Sequence, residues 1–339
     1  MTARPTVAVV GAGCIGAWTG AQLARAGAEV TLIGRPSLAE PVTRAGLIAT
    51  SLTGPDATFG PGGLRVALGP DAVAGAAVVV IAVKGGGTAA AAAEIRPHLA
   101  PGAVVVSLQN GLRNPARLRE ALPDHAVVPG MVSFNVVWDQ GPGGRARLRQ
   151  TTSGPVALEQ GGAPALAASL RASGVPVVEP PDMQGVQWAK LLLNLNNAVN
   201  ALSGLGLKAE LSDRGYRRVL AAAMTEAWAV LKAAGVRPVA IGKMRPGLAP
   251  RILPLPDWLF GLLAAPMIRI DPAARSSMAD DLARGRTTEV GDINGEVVAL
   301  GERVGVPTPI NARLVALVRA AEAGEVAVGL PAEALWPSG

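Results

Sequence analysis

Short apolar runs alternate with alanine-rich stretches of helical spacing along the first third of the chain. The run over 77–83 is apolar at every position, which is typical of a parallel strand buried on both faces. The pattern predicts strands over 6–10, 29–33, 77–83 and 103–107 and helices over 15–25 and 88–99. This alternation indicates a doubly wound parallel sheet of the Rossmann type.

A different pattern begins at residue 126, where β-rich runs follow one another between glycine and proline turns. The runs cover 126–137, 145–151 and 155–158, and we expect them to add antiparallel strands to the same sheet. A helix over 163–173 and a strand over 175–179 complete this part of the chain.

Residues 180–182, Pro-Pro-Asp, have the composition of a linker, and almost every pattern after them is helical. We therefore predict an α/β fold with a Rossmann-type domain over 1–181 and a C-terminal all-α domain over 182–335. The predicted helices cover 186–203, 216–234, 276–284, 290–304 and 311–323. A proline-rich, apolar insertion near 236–271 shows no regular spacing.

The predicted helix over 186–203 carries a polar stripe on an apolar background. Lys190, Asn194 and Asn197 have the spacing of one helix face, and leucines cover much of the rest. An unpaired charge in such a setting is very costly. We therefore expect this face to border a water-filled cleft or a ligand.

The sequence Gly-Ala-Gly-Cys-Ile-Gly that begins at Gly11 matches the G-x-G-x-x-G fingerprint between a predicted strand and a predicted helix. Gly11 allows the tight turn, Gly13 lets a pyrophosphate approach the backbone, and Gly16 permits close helix–strand packing. The helix start at Cys14 and Ile15 supplies N–H donors to the phosphates. The motif thus predicts dinucleotide binding rather than a glycine-rich turn that binds nothing.

The end of the second predicted strand indicates which dinucleotide binds. An NAD site usually has Asp or Glu there to hold the ribose 2′-hydroxyl, but this chain has Gly34 and Arg35. No carboxylate repels a 2′-phosphate, and the Arg35 guanidinium can bind one through two hydrogen bonds. We expect NADP(H) rather than NAD, and the alternative role of Arg35 is a solvated loop arginine.

Polar residues also follow the next two predicted strands. Lys84 comes directly after the strand over 77–83, and the amides Gln109 and Asn110 follow the strand over 103–107. Open α/β sheets bind ligands in the crevice at that edge. Either feature alone is equally consistent with a surface loop, but together they favour a binding site.

A further polar cluster lies in the helical part. Ser276, Ser277 and Asp281 indicate the start of one helix, and threonines just before Glu289 indicate the cap of the next. Helix capping alone would explain these residues, so the pattern leaves both a capping role and a chemical role open.

Composition and charge exclude several classes of protein. The chain has 339 residues, of which 50% are hydrophobic and 3% aromatic, and this favours close helix–strand packing. The net charge is +6, but the arginines are scattered and no nucleic-acid motif is present. The single cysteine and the two histidines argue against disulfides and against a metal site. Prolines and charges interrupt the apolar segment 252–270, so we expect no membrane span and a cytoplasmic protein.

Several motifs recur in one order along the chain: GAGCIG at the start, VK after the fourth predicted strand, QNG after the fifth, then WAKLLLN, SSM-x-x-D, TTEV and NG. In this order they resemble those of the ketopantoate reductases (2-dehydropantoate 2-reductases), which belong to the 6-phosphogluconate dehydrogenase-like group. The resemblance covers nearly the whole chain apart from the insertion. The motifs of the helical part are far more specific than the glycine fingerprint.

The resemblance implies an NADPH-dependent reduction of a 2-oxo acid to a 2-hydroxy acid, with 2-dehydropantoate, in pantothenate biosynthesis, as the first candidate substrate. Lys190 resembles the general acid and Glu289 the acidic residue beside it. Ser277 resembles the hydroxyl that binds the substrate carboxylate, and Asn194 the amide that binds the substrate hydroxyl. The residues that match cofactor-side positions are Lys84 and Asn110, at the junction with the substrate, and Arg35, at the 2′-phosphate.

Two positions depart from the family pattern. Ala198 stands where the family generally has a second asparagine, and Lys208 stands where its best-known members have a further one. Asn197 and Asn200 are the nearby amides that could substitute. We hypothesise that the hydroxyl-binding end of the pocket differs and that Lys208 binds a second anionic group of another 2-oxo acid.

Two other functions stay open at this point. One is a dehydrogenase of the same fold that acts on a different 2-oxo or 3-hydroxy acid. The other is a non-catalytic NADP(H)-binding sensor, which would not need to keep the polar residues of the helical part together. The apolar residues over 258–267 are consistent with a homodimer surface, with a lid or with packing on their own domain.

Overall fold

The computed structural model describes residues 5–239, 247–264 and 274–337. The chain divides into two compact units, Met1–Met183 and Gln184–Gly339. The first unit contains the sheets, and the second is helical. The fold is therefore α/β with a Rossmann-type first part and a helical second part, as the sequence predicts.

The strands of the first unit begin with the strand–helix–strand unit that the glycine motif requires. In chain order they are β1 (Thr6–Val10), β2 (Glu29–Ile33), β3 (Leu47–Thr50), β4 (Ala57–Phe59), β5 (Arg65–Ala67), β6 (Val78–Ile81), β7 (Val104–Ser107), β8 (Val127–Val132), β9 (Val136–Gln140), β10 (Ala146–Gln150), β11 (Val156–Leu158) and β12 (Val177–Val178). The helices are α1 (Cys14–Arg25), α2 (Pro36–Ala45), α3 (Thr88–Ile95), α4 (Asn114–Ala121) and α5 (Pro164–Ala172).

The main sheet has eight strands in the order β12-β11-β8-β7-β6-β1-β2-β5. Every neighbouring pair is parallel except β8 with β11. The central strands are buried on both faces, which explains why β6 is a continuous apolar run. This order places the carboxyl ends of β1, β6 and β7 side by side at one edge of the sheet.

The expectation that all β-rich runs over 126–158 join the main sheet as antiparallel strands is wrong in two respects. β8 is parallel to β7, and β9 and β10 belong to a separate four-stranded sheet of order β4-β3-β10-β9. The reason is amphipathicity, because buried and more exposed residues alternate along β10. Such a strand covers one face only, and here it packs against α1. The buried Trp18 of α1 donates its indole N–H to the Thr50 carbonyl at 2.8 Å.

The helices of the second unit, within the described ranges, follow the predicted segments with local breaks. They are α6 (Met183–Asn194), α7 (Asn196–Ser203), α8 (Leu207–Ser212), α9 (Arg214–Ala233), α10 (Ala249–Ile252), α11 (Asp257–Leu263), α12 (Ser277–Ala283), α13 (Asn294–Val304) and α14 (Pro309–Glu322). The predicted helix over 186–203 is two helices, so Asn197 belongs to α7 and the spacing argument from Lys190 does not extend to it.

The helical core and the insertion are both tied to α9. Helices α7, α9, α13 and α14 pack together, and α12 packs on α7. The insertion contains α10 and α11 among its described residues, while 240–246 and 265–273 lie outside them. Trp258 on α11 is 74% exposed. No helix in the part of the chain that the structure describes is long and apolar enough to cross a membrane.

Candidate active site

The glycine loop after β1 has the geometry that a dinucleotide requires. Gly11 has φ +88°, and a Cβ there would lie 2.5 Å from the Val83 nitrogen. A Cβ at Gly16 would lie 2.4 Å from the Gly11 carbonyl oxygen, so α1 can lie close to the strand only with glycine there. A Cβ at Gly13 would have no atom within 4 Å. The tight turn and the close packing are therefore in place, and the space over Gly13 is open.

The start of α1 suits an anion. Gly13 is the N-cap of this 12-residue helix, and its first turn, which begins with Cys14 and Ile15, contains no acidic residue. The first N–H groups of a helix have no partner within the helix, and the helix dipole adds positive potential at that end. The residues therefore fit the pyrophosphate of a dinucleotide.

Arg35 lies at the carboxyl end of β2, directly before α2. Its side chain is exposed, and it forms no hydrogen bond or ion pair with any residue in the described ranges. The first turn of α2 contains no acidic residue. The guanidinium is therefore available to an anionic group.

The ends of β6 and β7 are joined by the side chain of Gln109. This buried amide donates hydrogen bonds to the Val83 carbonyl at 2.9 Å and to Thr88 Oγ1 at 2.7 Å, and it accepts one from Ser107 Oγ at 3.1 Å. The sequence groups Gln109 with Asn110 as an amide pair at the crevice. The structure shows that the Gln109 side chain is buried and joins the ends of β6 and β7 through these hydrogen bonds.

The two remaining polar residues of this edge, Lys84 and Asn110, follow the same two strands. Lys84 follows β6 and is exposed, and Asn110 follows β7 and is partly buried. The Asn110 carbonyl accepts a 2.6 Å hydrogen bond from the Asn114 side chain, which fixes the loop before α4. Because β6 and β7 are neighbours in the sheet, Lys84 and Asn110 occupy adjacent strand ends, as predicted.

In the second unit, Lys190 is a partly buried cation on α6 that follows the buried residues Trp188 and Ala189. Burial lowers the pKa of Lys190 below the 10.5 of a free lysine, and no carboxylate contributes to this shift. The ammonium forms no ion pair with Glu289 or with any other residue that the structure describes. Such an ammonium gives up a proton more readily than a solvated one.

The amides after Lys190 fall into two groups. Asn194 and Asn197 are partly buried, and neither side chain is bonded to another residue within the described ranges. Asn200 is fully buried and its polar atoms are engaged: Oδ1 accepts the Ser276 N–H at 2.9 Å, and Nδ2 donates to the Leu205 carbonyl at 3.1 Å. Asn200 therefore cannot replace the asparagine that is missing at Ala198, which leaves Asn197.

The two serines before α12 have different roles. Ser276 is the buried N-cap, whose hydroxyl accepts the Ala279 N–H at 3.1 Å and donates to the Asn197 carbonyl at 3.2 Å. Ser277 is exposed in the first turn, and its hydroxyl forms no hydrogen bond to any described residue. Capping thus accounts for Ser276 and leaves Ser277 available to a ligand.

Glu289 and Lys208 are placed differently with respect to solvent. Glu289 is partly buried before a short 3-10 turn, where Thr288 Oγ1 accepts the Val290 N–H at 3.2 Å. Glu289 itself occupies the N-cap position of this turn without a side-chain cap, and α13 begins only at Asn294, so the prediction that a threonine caps the next helix is wrong. Lys208 on α8 is exposed.

Glu210, two residues beyond Lys208, is an acidic residue that the sequence does not single out. It is 0% exposed, and burial raises its pKa to about 8, against the opposing effect of hydrogen bonds from Asn196 and Asn200. The only sequence signal is a lone acid between two apolar residues of a short helix, Ala209 and Leu211. Its burial comes from tertiary packing, which no local pattern reveals.

Known proteins match both parts of this chain. The model of the ketopantoate reductase family PanE/ApbA matches residues 7–161, and the model of the C-terminal domain of that family matches residues 182–322. The chain belongs to the ketopantoate reductase family. This family member is therefore an oxidoreductase of the 2-dehydropantoate 2-reductase type, which acts on a CH–OH group.

Individual relatives of this ketopantoate reductase family member agree. The 2-dehydropantoate 2-reductase of Halobacterium salinarum is 30% identical over 319 residues, which cover 93% of this chain and 98% of that protein. The crystal structure of a PanE/ApbA family ketopantoate reductase from Ralstonia eutropha has 33% identity and a TM-score of 0.79, and the match covers 94% of this chain and 99% of that one. D-mandelate dehydrogenase with NADH and anilino(oxo)acetate has 22% identity and a TM-score of 0.73 over 94% of this chain and 99% of that one, and so shares the fold.

Proposed function

We propose that this protein reduces the ketone of a 2-oxo acid to a 2-hydroxy acid with NADPH, and that 2-dehydropantoate is its first candidate substrate. The observation that carries the proposal is the Lys190 ammonium, which is partly buried, has a lowered pKa and has no partner among the described residues. A group of this kind is costly to maintain unless a ligand uses it. In a family of ketone reductases, the use is proton donation.

The dinucleotide would be held by the loop Gly11–Gly16, with the phosphates at the start of α1 and a 2′-phosphate at Arg35. Two observations support this assignment: the open space over Gly13 and the exposed guanidinium of Arg35. When bound, the reduced nicotinamide supplies the hydride. The residues Lys84 and Asn110, at adjacent strand ends, would border the nicotinamide side of the cofactor.

The residues of the second unit would handle the substrate. Lys190 donates a proton to the ketone oxygen as negative charge develops there, and its positive charge stabilises that oxygen before the proton moves. Asn194 hydrogen-bonds the substrate hydroxyl, and Ser277 hydrogen-bonds the carboxylate. Glu289 is the acidic residue that the family resemblance places beside Lys190.

The identity of the 2-oxo acid is a finer proposal. Ala198 is 0% exposed, and Asn200 is bonded to Ser276, so of the two nearby amides Asn197 is the one left to supplement Asn194 at the hydroxyl-binding end. Lys208 is an exposed cation. These observations favour a second candidate, a 2-oxo acid with an additional anionic group that Lys208 binds.

The proposal is tested by measuring NADPH oxidation with a panel of 2-oxo acids that includes 2-dehydropantoate and oxaloacetate. Preferred turnover of 2-dehydropantoate supports the first candidate, and preferred turnover of a dicarboxylic 2-oxo acid supports the second. A protein that binds NADPH but turns over no 2-oxo acid would be a sensor, and the proposed activity would be wrong.

A further inference from the structure

A buried acid–amide cluster lies between α7, α8 and the residues that precede α12. Glu210 on α8 accepts hydrogen bonds at Oε2 from Asn196 Nδ2 at 3.1 Å and from Asn200 Nδ2 at 3.4 Å. Asn200 and Glu210 have no exposed surface. No residue of this cluster has a role in the proposed chemistry, yet a buried carboxyl group is costly to keep.

The hydrogen-bond partners in this cluster indicate which protonation state of Glu210 it accommodates. Glu210 Oε1 and Asn196 Oδ1 are both buried acceptors without a hydrogen-bond partner in the described residues. They are the remaining oxygens of two groups that are already joined through Oε2 and Nδ2. A proton on Glu210 Oε1 would supply the donor that these two oxygens lack. The hydrogen-bond inventory therefore favours the neutral carboxylic acid.

Asn200 links this cluster to the serine turn. Its Oδ1 accepts the N–H of Ser276 at 2.9 Å, while its Nδ2 faces Glu210. Ser276 in turn holds the start of α12 and bonds the Asn197 carbonyl of α7. The orientation of the Asn200 amide thus sets the position of the backbone that carries Ser277.

We propose that Glu210, as a neutral acid, is a positioning residue that orients Asn200 and thereby holds the Ser276–Ser277 backbone in the geometry that binds the substrate carboxylate. The substrate part of this proposal rests on the proposed function. Ionisation of Glu210 would place a charge without a donor for its second oxygen in this cluster. The ionised cluster must rearrange, and the Ser276 amide then loses a fixed acceptor.

Near neutral pH, the charge of this cluster is expected to change through the titration of Glu210 itself and not through that of the groups around it. On α9, Tyr216 interacts electrostatically with Glu210, but burial is the main cause that raises the Tyr216 pKa, so this phenol stays neutral. Arg217, also on α9, is bonded to the carbonyls of Leu211 and Ser212. Lys208 on α8 and Arg275 before α12 are exposed, and α7 carries no charged residue.

The test compares the wild-type chain with Glu210→Gln and Glu210→Ala, and uses Glu302→Gln on the exposed face of α13 as a matched control. A glutamine keeps an acceptor for the two amides, offers a donor to Asn196 Oδ1 and cannot ionise. The first readout is KM for the oxo acid between about pH 7 and about pH 9. The second is hydrogen–deuterium exchange at the Ser276 amide at the same pH values, which does not depend on activity.

We expect KM of the wild type and of Glu302→Gln to rise by roughly tenfold over this range, because the competent fraction falls to about a tenth. KM of Glu210→Gln should stay constant, with kcat and the KM for NADPH unchanged. The Ser276 amide should exchange faster in the wild type than in Glu210→Gln at the higher pH. Glu210→Ala, if it folds, should show a raised KM at every pH.

Two results would overturn the proposal: the same pH dependence of KM in the wild type and Glu210→Gln, or equal exchange at Ser276 in both. If no oxo acid is turned over but the exchange difference is present, the positioning holds and the proposed function is the part that fails. If Glu210→Ala does not fold, the comparison with Glu210→Gln still decides.

Discussion

The guanidinium carbon of Arg217 lies 4.2 Å from the centre of the Phe260 ring. Arg217 is fully buried on α9 and Phe260 belongs to α11, so this contact fastens the insertion to the helical core. The same guanidinium donates to the carbonyls of Leu253 at 2.9 Å and Leu255 at 3.0 Å and to Asp257 Oδ1 at 2.7 Å. Arg217 thus binds two backbone carbonyls and one carboxylate of the insertion, and Arg214 adds a hydrogen bond to the Pro254 carbonyl at 2.9 Å.

Arg217→Met should therefore destabilise the second unit by about 3 kcal/mol, since it leaves one buried and three partly buried carbonyls without this donor. Chemical unfolding measures the loss, and limited proteolysis within 247–264 shows whether the insertion detaches. The neighbouring Arg218 is exposed, and Arg218→Met serves as the control. Equal stability of the two variants would contradict the role given to Arg217.

Replacing Lys190 tests the proton donor. Lys190→Ala should lower kcat for ketone reduction by about 10²–10⁴, the usual contribution of a general acid. Lys232 on α9 is exposed, and Lys232→Ala should leave kcat unchanged. Unchanged turnover in Lys190→Ala would remove this residue from the mechanism.

The pH dependence of kcat gives a separate test of Lys190. The reaction needs its protonated form, and burial lowers its pKa. Activity should therefore be present at low pH and fall as the pH rises through a value below the 10.5 of a free lysine. A pH profile of kcat at saturating substrate measures this value. A kcat that stays constant beyond the ordinary lysine pKa would be inconsistent with the assignment.

Arg35→Asp should weaken NADPH binding by about tenfold or more and affect NADH less, because a carboxylate repels the 2′-phosphate and can bind a free 2′-hydroxyl. Titration of both cofactors by fluorescence measures the two affinities. Arg96 is an exposed arginine after α3, and Arg96→Asp controls for the change in net charge. A loss that is equal for the two cofactors would show that Arg35 does not contact the 2′-phosphate.

The glycine loop offers a matched pair of variants. Gly13→Ala adds a methyl group to open space, so it should cost at most about 1 kcal/mol of stability but hinder the pyrophosphate. Gly11→Ala adds one at φ +88° and 2.5 Å from the Val83 nitrogen, and should cost about 3 kcal/mol or more. Thermal melting with and without NADPH separates the two effects. Normal stabilisation of Gly13→Ala by NADPH would argue against binding at this loop.

Glu210 should make stability depend on pH in an unusual direction. Its pKa is raised from 4.5 to about 8 in the folded protein, so the folded state holds the proton more tightly than the unfolded chain. The contribution of protonated Glu210 to the free energy of unfolding is therefore fully present below pH 4.5 and is lost as the pH rises through about 8. The melting temperature of the wild type should therefore fall, relative to Glu210→Gln, across this range. If the melting temperatures of the wild type and of Glu210→Gln change in parallel with pH, this prediction is wrong.

The sequence is most informative where a pattern is local and strong. The bounds of β1 and β2 are predicted correctly because short apolar runs between turns leave little choice. The placement of β10 is wrong because its partner β3 lies far away along the chain, and local alternation does not reveal a partner.

The candidate site shows the same division between local and tertiary information. A lysine in an apolar helix is visible in the sequence, and the lowered pKa of Lys190 follows from that setting. The different roles of Ser276 and Ser277 cannot be predicted from the sequence, because they depend on which of the two serines forms hydrogen bonds with Asn197 and Asn200. Glu210 is missed for the same reason, since the packing of α8 against α7 and α9 buries it.

The full burial of Ala198 limits how substrate preference could be changed by evolution or engineering. An asparagine at this position would place an amide where no surface is exposed, on the same helix as Asn200, whose side chain already accepts the Ser276 N–H. A single substitution to the family residue would therefore add an unsatisfied polar group before it added a contact to the substrate. Substitutions at Asn197 and Lys208, which are less buried, should therefore change the substrate preference more readily.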